Sequence, residues 1–187
     1  KKFLPAECDF MMRNTWFDDT NEDQIKSVEE LVGIYELSVG RGANFLINIG
    51  PDKNGLLPEK DRERLLEFGK EIKKRYGTPI QGFSGLKEFT DFGLKNSFCI
   101  EHDGNTPINR IMLSEDLSEG EGITEFKIYS LLPLYRENVI CLYHGQTVGH
   151  KRICSFPTVS ASKMIVEVVS SDGNFRLKEM KAFFVKE

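Results

Sequence analysis

The chain has few of the residues that mark a disulfide scaffold, a metal site or a membrane protein. Its 187 residues include 4 cysteines, 3 histidines and 1 tryptophan. The cysteines are widely separated and form no Cys-x-x-Cys pair, which argues against a zinc knuckle or a thioredoxin-like site. The histidines follow no His-Glu-x-x-His pattern, so we expect no metal site. No apolar run approaches the roughly 20 residues that a helix needs to cross a bilayer, so we expect no membrane span.

An excess of charge of one sign is also missing. Lys and Arg number 25 against 29 Asp and Glu, the net charge is −4, and the two signs are interspersed. Because a nucleic-acid site needs a basic patch or stripe, nucleic acid is not an expected partner. Neither GxGxxG nor GxxxxGK[ST] occurs, which argues against a phosphate-binding loop. The 40% of hydrophobic residues instead indicates a packed globular protein.

The clearest local pattern lies between Leu37 and Pro58, with the sequence LSVGRGANFLINIGPDKNGLLP. Asn44 to Ile49 is a short, nearly continuous apolar run, which favours a parallel strand covered on both faces. The Gly, Pro and Asn residues that follow indicate a wide loop. In a βα barrel such a loop lies on the catalytic face. We therefore expect function near Asn48 and near Pro51-Asp52.

Two helices are predicted to flank this strand. Ser27 and Glu30 have the spacing of a capping box, and Gly40 is the expected C-terminal stop of the first helix. Pro58 is expected to open the second helix, which should end at Gly77. The apolar stripe of the second helix consists of Leu65, Phe68, Ile72 and Tyr76.

From about Phe98 onward the pattern changes to short alternating or apolar runs separated by turn residues, which is typical of an antiparallel β-sandwich. The predicted strands include residues 110–113, 124–129, 139–143, 148–154, 163–169 and 181–185. Turns are predicted at Asp103-Gly104-Asn105 and at Asp172-Gly173-Asn174. We expect three regions, namely residues 1–80 as the C-terminal βα units of a (β/α)8-like barrel, residues 81–97 as a linker, and residues 98–187 as a β-sandwich accessory domain.

Several stretches occur in the order expected for one enzyme family. PAECD at residues 5–9 is followed by TWF at 15–17, which places Trp16 nine residues after Glu7, and GRGANFLINIGPDKNGLLPE follows at 40–59. They resemble the acid/base strand and the closing barrel segment of retaining α-L-fucosidases, glycoside hydrolase family twenty-nine. NRIMLSEDLSEGEGITEFKIY and GQTVGHKRICSF resemble the carbohydrate-binding-like jelly roll that follows the barrel in one branch of the family.

The resemblance implies removal of terminal α-linked L-fucose by double displacement with retention, without a metal or an organic cofactor. Such a reaction needs two carboxyl groups about 5–5.5 Å apart. The resemblance makes Glu7 the general acid/base. The family's nucleophile is an aspartate on an earlier strand, and no residue of this chain matches it. Expected partners are therefore a fucosylated oligosaccharide or glycoconjugate, and the missing N-terminal barrel portion of the same protein. The branch resembles enzymes that favour α-1,3/1,4 linkages.

Trp16 and Asn48 are the candidate substrate-binding residues. Trp16 is flanked by polar residues, so its indole ring can serve as a platform for the C–H face of a sugar. The alternative is that Trp16 anchors its loop to the barrel. Asn48 lies nearest to the C-terminal end of its predicted strand, where it can approach substrate, and the alternative is that it only fixes the strand end.

Other functions stay open from the sequence. The chain can be a carbohydrate-binding or structural module with a barrel remnant and no catalytic power, or belong to a hydrolase that acts on another sugar. Cys141 and Cys154 lie in apolar runs and are predicted to be buried free thiols. The cellular compartment is not indicated.

Overall fold

The chain consists of two units with different secondary structure. The computed structural model describes residues 4–17, 24–132 and 135–186. One unit is Pro5–Thr78, and the other contains the chain from Pro79 onward. The first is α/β and the second is antiparallel β, which confirms the predicted fold class.

In its described residues the first unit has two parallel strands, β1 (Glu7–Met11) and β2 (Asn44–Asn48), and two helices, α1 (Val28–Leu37) and α2 (Glu59–Tyr76). Parallel strands need a crossover connection, which α1 provides. Glu7 lies opposite Asn44, and Met11 lies opposite Asn48. The carboxyl ends of both strands therefore meet at one edge of the pair, which is the edge where α/β proteins place ligands.

The start of α1 follows the prediction and its end does not. The backbone N–H of Glu30 donates to the Ser27 hydroxyl at 3.1 Å, and the Ser27 N–H donates to the Glu30 carboxylate at 2.7 Å. These hydrogen bonds hold the pKa of Glu30 below its usual value. The predicted stop at Gly40 is wrong. The helix ends at Leu37 because Ser38 caps it, a 3₁₀ turn follows, and the left-handed residue is Gly42, with φ 87°.

Aromatic side chains join the two helices to the two strands. The ring of Phe68, from the predicted apolar stripe of α2, lies 6.2 Å from those of Tyr35 on α1 and Phe45 on β2. Phe45 in turn contacts Phe10 on β1, with 6.4 Å between centroids. The edge-to-face geometry of these pairs is the arrangement that aromatic rings favour. Helix α2 begins directly after Pro58 and ends before Gly77, as predicted.

The part of the second unit that the structure describes forms six antiparallel strands in the order β3-β4-β7-β5-β6, with β8 paired to β4. The strands are β3 (Lys87–Phe89), β4 (Ser97–Glu115), β5 (Ile123–Leu132), β6 (Tyr135–Gly145), β7 (Arg152–Ser171) and β8 (Leu177–Phe183). Strands β4 and β7 pair over most of their length and belong to two portions of the sheet. One portion adds β3 and β5, and the other adds β8.

Side chains from both portions form one core, so the sheet folds over itself as a sandwich. Ile100, Val166 and Ile128 come from the first portion. Leu113 and Met180 come from the second and are buried in the same cluster. This arrangement confirms the predicted antiparallel sandwich. The segment before β3 also packs on this core through Ile80, Phe83 and Leu86.

Two local predictions in the second unit are wrong. Asp103-Gly104-Asn105 does not reverse the chain, because it lies inside β4 at an irregularity where the register with β7 shifts between Glu101 and Thr106. Such a bulge keeps the strand continuous while adding unpaired residues. All four cysteines are free, and Cys154 is buried as predicted, but Cys141 is exposed on β6, which stands at the end of the strand order.

Candidate functional site

Asn48 and Trp16 meet at the carboxyl edge of the parallel pair. The Asn48 side-chain amide donates to the backbone carbonyl of Trp16 at 3.1 Å. The backbone carbonyl of Asn48 accepts from the backbone N–H of Met12 at 3.0 Å, so the loop that follows β1 is fixed to the end of β2. The Trp16 residue is 50% exposed. The structure therefore brings both predicted substrate-binding residues to the edge where ligands of α/β proteins bind.

A short turn presents the Trp16 side chain. The Thr15 hydroxyl oxygen accepts from the backbone N–H of Phe17 at 3.0 Å, which is the pattern of a Ser/Thr turn. Phe17 is 81% exposed, so it does not bury its ring against the described residues. The half-exposed indole of Trp16 is thus held by a local turn and by Asn48.

Glu7 lies at the amino end of the two strands, opposite the carboxyl edge. It is the first residue of β1, its side chain is exposed, and its carboxylate accepts from the Asn44 side-chain amide at 2.9 Å. At the rise of a parallel strand, Glu7 and Met11 are about 13 Å apart along β1. Among the predicted site residues, the structure therefore joins Trp16 to Asn48 but does not bring Glu7 to them.

Asp52 acts as a turn residue in the loop between β2 and α2. Its carboxylate accepts from the backbone N–H groups of Asn54 at 2.8 Å and Leu56 at 2.9 Å. Gly55 follows with φ 76°, a conformation that glycine adopts without strain. These hydrogen bonds shape the loop, so the carboxylate of Asp52 is engaged by its own backbone.

A buried ion pair lies beneath the Trp16 loop, and the sequence reasoning missed it. The Arg13 guanidinium approaches the Asp61 carboxylate with two N–O distances, 2.6 Å from Nη2 to Oδ2 and 3.0 Å from Nε to Oδ1. The side chains are 8% and 0% exposed. Asp61 lies in the first turn of α2, where the helix dipole favours a negative charge.

The position of Asp61 in α2 carried a signal for this pair. Asp61 precedes Leu65 by four residues and Phe68 by seven, so it continues the predicted apolar stripe toward the helix start. A carboxylate on a buried stripe needs a partner with opposite charge or several hydrogen-bond donors. The stripe therefore indicated a buried cation nearby, although it did not identify Arg13.

The three histidines belong to the second unit, each in a different local setting. His102 hydrogen-bonds within the bulge of β4, and His144 pairs with Glu125 at 2.7 Å. His150 lines a cavity of about 250 Å³ in the second unit together with Met112, Glu115, Lys151 and Lys178. In the part of the chain that the structure describes, three or more His, Cys, Asp or Glu side chains nowhere cluster in a way that could hold a metal ion.

Comparison with known proteins finds similarity to one family of glycosidases. A family model described as alpha-L-fucosidase matches residues 4–77, which contain the whole β1–β2 edge. Residues 4–77 are thus similar to the α-L-fucosidase family. Alpha-L-fucosidase 1 of Arabidopsis thaliana is 29% identical over 196 residues, which cover 89% of this chain and 38% of that protein.

Solved structures extend the likeness over both units. A provisionally assigned alpha-L-fucosidase from Bacteroides thetaiotaomicron is 28% identical with a TM-score of 0.85, covering 98% of this chain and 42% of that one. A glycoside hydrolase family twenty-nine fucosidase from Ruminococcus gnavus, solved in complex with fucose, has the same fold with a TM-score of 0.83. That similarity is at 24% identity and covers 98% of this chain and 42% of that one.

The chain spans 35% and 38% of the length of two curated fucosidase relatives. These relatives are α-L-fucosidases, which are glycoside hydrolases, and the similarity extends over a region shorter than those whole enzymes. Within the described residues, the helices are too short or too polar to cross a membrane.

Proposed function

We propose that this chain is the C-terminal portion of a glycoside hydrolase that removes terminal α-linked L-fucose from fucosylated oligosaccharides or glycoconjugates. The observation that carries the proposal is the hydrogen bond from Asn48 to the Trp16 carbonyl at the carboxyl edge of β1 and β2. It holds a half-exposed indole where ligands of βα barrels bind. The fucose in the Ruminococcus gnavus structure agrees with this substrate class.

In this proposal Trp16 forms the apolar platform and Asn48 positions it. Sugars expose flat C–H faces that pack on aromatic rings, while their hydroxyl groups need polar partners. The Asn48 amide nitrogen is engaged by Trp16, so its oxygen remains the group that can accept from a substrate hydroxyl. Both residues therefore contribute binding and orientation, and neither supplies an acid or a nucleophile.

Glu7 is the proposed general acid/base on the strength of the family resemblance. The acid must hold a proton until the leaving oxygen takes it, and then act as a base toward water. A second role is favoured by the position of Glu7 at the start of β1 and by its hydrogen bond from Asn44. In that role Glu7 fixes the register of β1 against β2. The reaction mechanism, double displacement with retention, requires a nucleophile outside this chain in either case.

Turnover of an aryl α-L-fucoside tests the proposal directly. The assay compares this 187-residue chain with the polypeptide extended upstream in its natural reading frame. We expect turnover only in the longer protein, because the proposed nucleophile is supplied there. If neither protein turns over the fucoside, and the longer protein is folded, the proposed hydrolase activity is rejected. Turnover of an aryl β-D-galactoside in place of the fucoside would show that the enzyme acts on a different sugar.

The retaining mechanism and the linkage have separate tests. Proton NMR of the first-formed fucose should show the α-anomer if the reaction proceeds by double displacement, and the β-anomer if it inverts. Oligosaccharides carrying α-1,3- or α-1,4-linked fucose should be hydrolysed faster than one carrying α-1,2-linked fucose. Equal rates would remove the proposed linkage preference.

A non-catalytic carbohydrate-binding role of the second unit is the second candidate. The cavity of about 250 Å³ beside His150 supports it, since hydrogen-bonding side chains and Met112 line the same concavity. Titration of the full chain and of its Lys178→Ala variant with fucosylated oligosaccharides tests this role. Saturable binding that the variant weakens would support a binding module, whereas identical titrations would leave the sandwich a packing domain.

A further inference from the structure

The buried pair of Arg13 and Asp61 connects the two loops that form the carboxyl edge of the first unit. Arg13 lies two residues after the end of β1, and Asp61 lies in the first turn of α2, directly after the loop that leaves β2. Their guanidinium and carboxylate are joined by two parallel contacts of 2.6 and 3.0 Å. The pair therefore fixes the start of α2 against the loop that carries Trp16.

Hydrogen bonds of Met12, the residue before Arg13, extend this connection. The Met12 N–H donates to the Asn48 carbonyl at 3.0 Å, and the Met12 carbonyl accepts from the Lys26 N–H at 3.0 Å. Lys26 in turn offers its carbonyl to Arg64 of α2. Met12 is itself fully buried. The segment before Trp16 is thus held by β2, by the start of α1 and by α2.

We infer that the Arg13–Asp61 pair is a positioning element that sets the location and orientation of the Trp16 indole for substrate. This inference rests on the proposed role of Trp16 as a sugar platform. Arg13 reaches Trp16 through only two intervening residues, so a shift of its anchored side chain moves the indole. Both charges are buried, so Arg13 and Asp61 act through Trp16 and do not touch the sugar.

The fork geometry explains why arginine stands at this position. A guanidinium makes two parallel hydrogen bonds to a carboxylate and fixes both the distance and the plane of the partner. A lysine ammonium keeps the charge but offers a flexible point contact without a preferred plane. Replacement of Arg13 by Lys therefore separates orientation from charge compensation, which makes it the informative variant.

The experiment uses the complete protein and combines two readouts. Emission and acrylamide quenching of Trp16 are isolated by subtracting the spectrum of Trp16→Phe, and KM and kcat are measured on an aryl α-L-fucoside. We compare Arg13→Lys, the double variant Arg13→Met/Asp61→Leu, and the control Arg62→Met. The control breaks an exposed pair with Glu59 on the same helix, whose N–O distance is 2.5 Å.

For Arg13→Lys we expect a changed quenching constant of Trp16 and a KM raised by about tenfold, with a smaller change in kcat, because the platform is displaced while the reacting groups stay in place. The double variant should recover the melting temperature, since it removes both members of the described buried pair. It should keep the altered quenching and KM. Arg62→Met should match the wild type in both readouts.

The inference fails if Arg13→Lys leaves the quenching and KM of the wild type, or if the double variant restores quenching and KM together with melting temperature. The latter result would make the pair a stabilising element only. Failure of the proposed function is a different outcome: the wild type would not turn over the fucoside, while the quenching of Trp16 would still report whether the pair positions the indole.

Discussion

Asn48 donates its side-chain amide to the backbone carbonyl of Trp16 at 3.1 Å, across 32 residues of sequence. The contact joins the end of β2 to the loop after β1 and leaves the indole half exposed. It provides the fixed end of a surface that a flat sugar face can contact.

Replacement of Trp16 is expected to weaken binding of fucosides more than it slows the chemical step. Trp16→Ala removes the platform and should raise KM by about tenfold or more, whereas Trp16→Phe keeps an aromatic face and should lose less. Steady-state kinetics on an aryl α-L-fucoside measures the difference. Equal kinetics for Ala, Phe and wild type would show that the indole only anchors its loop.

The hydrogen-bond donor of the Asn48 side chain should matter more for substrate binding than the size of that side chain. Asn48→Asp keeps the shape but removes the N–H that Trp16 accepts, so we expect a weaker substrate complex and a changed Trp16 emission. Asn54→Asp is a matched control on the neighbouring loop. Asn54 contacts Asp52 through its backbone N–H, which the substitution keeps. A wild-type emission spectrum and KM for Asn48→Asp would contradict the positioning of Trp16 by Asn48.

Variants of Glu7 and Asn44 distinguish a catalytic role of Glu7 from a role in positioning β1. If Glu7 is the general acid/base, Glu7→Gln should lower kcat by about 10²–10⁴-fold, and azide should partly restore Glu7→Ala on substrates with good leaving groups. Asn44→Ala removes the 2.9 Å hydrogen bond but keeps the carboxylate, so it should retain most activity.

The opposite pattern would assign a structural role to Glu7. Glu7→Gln still offers an oxygen to the Asn44 amide and would then remain active, while Asn44→Ala and Glu7→Ala would share a lower melting temperature without azide rescue. Wild-type turnover in Glu7→Gln would therefore remove Glu7 from the mechanism and would be explained by its place at the start of β1.

Gly82 and Gly85 form a matched pair for stability of the second unit. Gly82 has φ 88°, and an added Cβ would lie 2.9 Å from Nε2 of His102, whose ring packs on Phe83 at 5.2 Å. We expect Gly82→Ala to lower the free energy of unfolding by about 1–3 kcal/mol. Gly85→Ala meets no atom within 4 Å and should stay near the wild type. Denaturant melts check both, and equal midpoints would be the contrary result.

Tyr129 should contribute to loss of stability at alkaline pH. Its hydroxyl donates to Glu167 at 2.8 Å, and burial together with the Glu167 carboxylate raises the pKa of the phenol above its usual 10.0. The unfolded chain therefore loses this proton first, so the stability supplied by the neutral phenol is present below about pH 10 and falls above it. Unfolding of Tyr129→Phe should depend less steeply on pH between about 9 and 11. Identical slopes in the two proteins would contradict this assignment.

Local sequence patterns determined much of the first unit. The spacing of Ser27 and Glu30 predicted the start of α1, because a capping box satisfies backbone donors within four residues. The stripe from Leu65 to Tyr76 predicted α2 and its partly buried face, which packs on Tyr35 and Phe45 through Phe68. The end of α1 was predicted at Gly40 and lies at Leu37, since Ser38 competes as a cap through its own hydrogen bonds to Ile34.

The second unit shows where local patterns stop being sufficient. Alternation predicted the strands, but the turn signal of Asp103-Gly104-Asn105 was overridden by pairing of β4 with β7 on both sides of it. Long-range pairing buries the apolar residues of β4 on one continuous core, and a bulge accommodates the extra residues. The exposure of Cys141 was likewise decided by the tertiary structure, which puts β6 at the end of the strand order with one neighbouring strand.

The sequence by itself determined the two fold classes, the helix starts and the resemblance to α-L-fucosidases, because these depend on local capping, on hydrophobic periodicity and on ordered motifs. Only the tertiary structure decided which site residues meet. The parallel register of β1 and β2 puts Asn48 beside Trp16 and leaves Glu7 beside Asn44 at the other edge. It also brings Arg13 to Asp61 across 48 residues, since a buried charge is stable only with its partner, and spacing along the chain does not identify that partner.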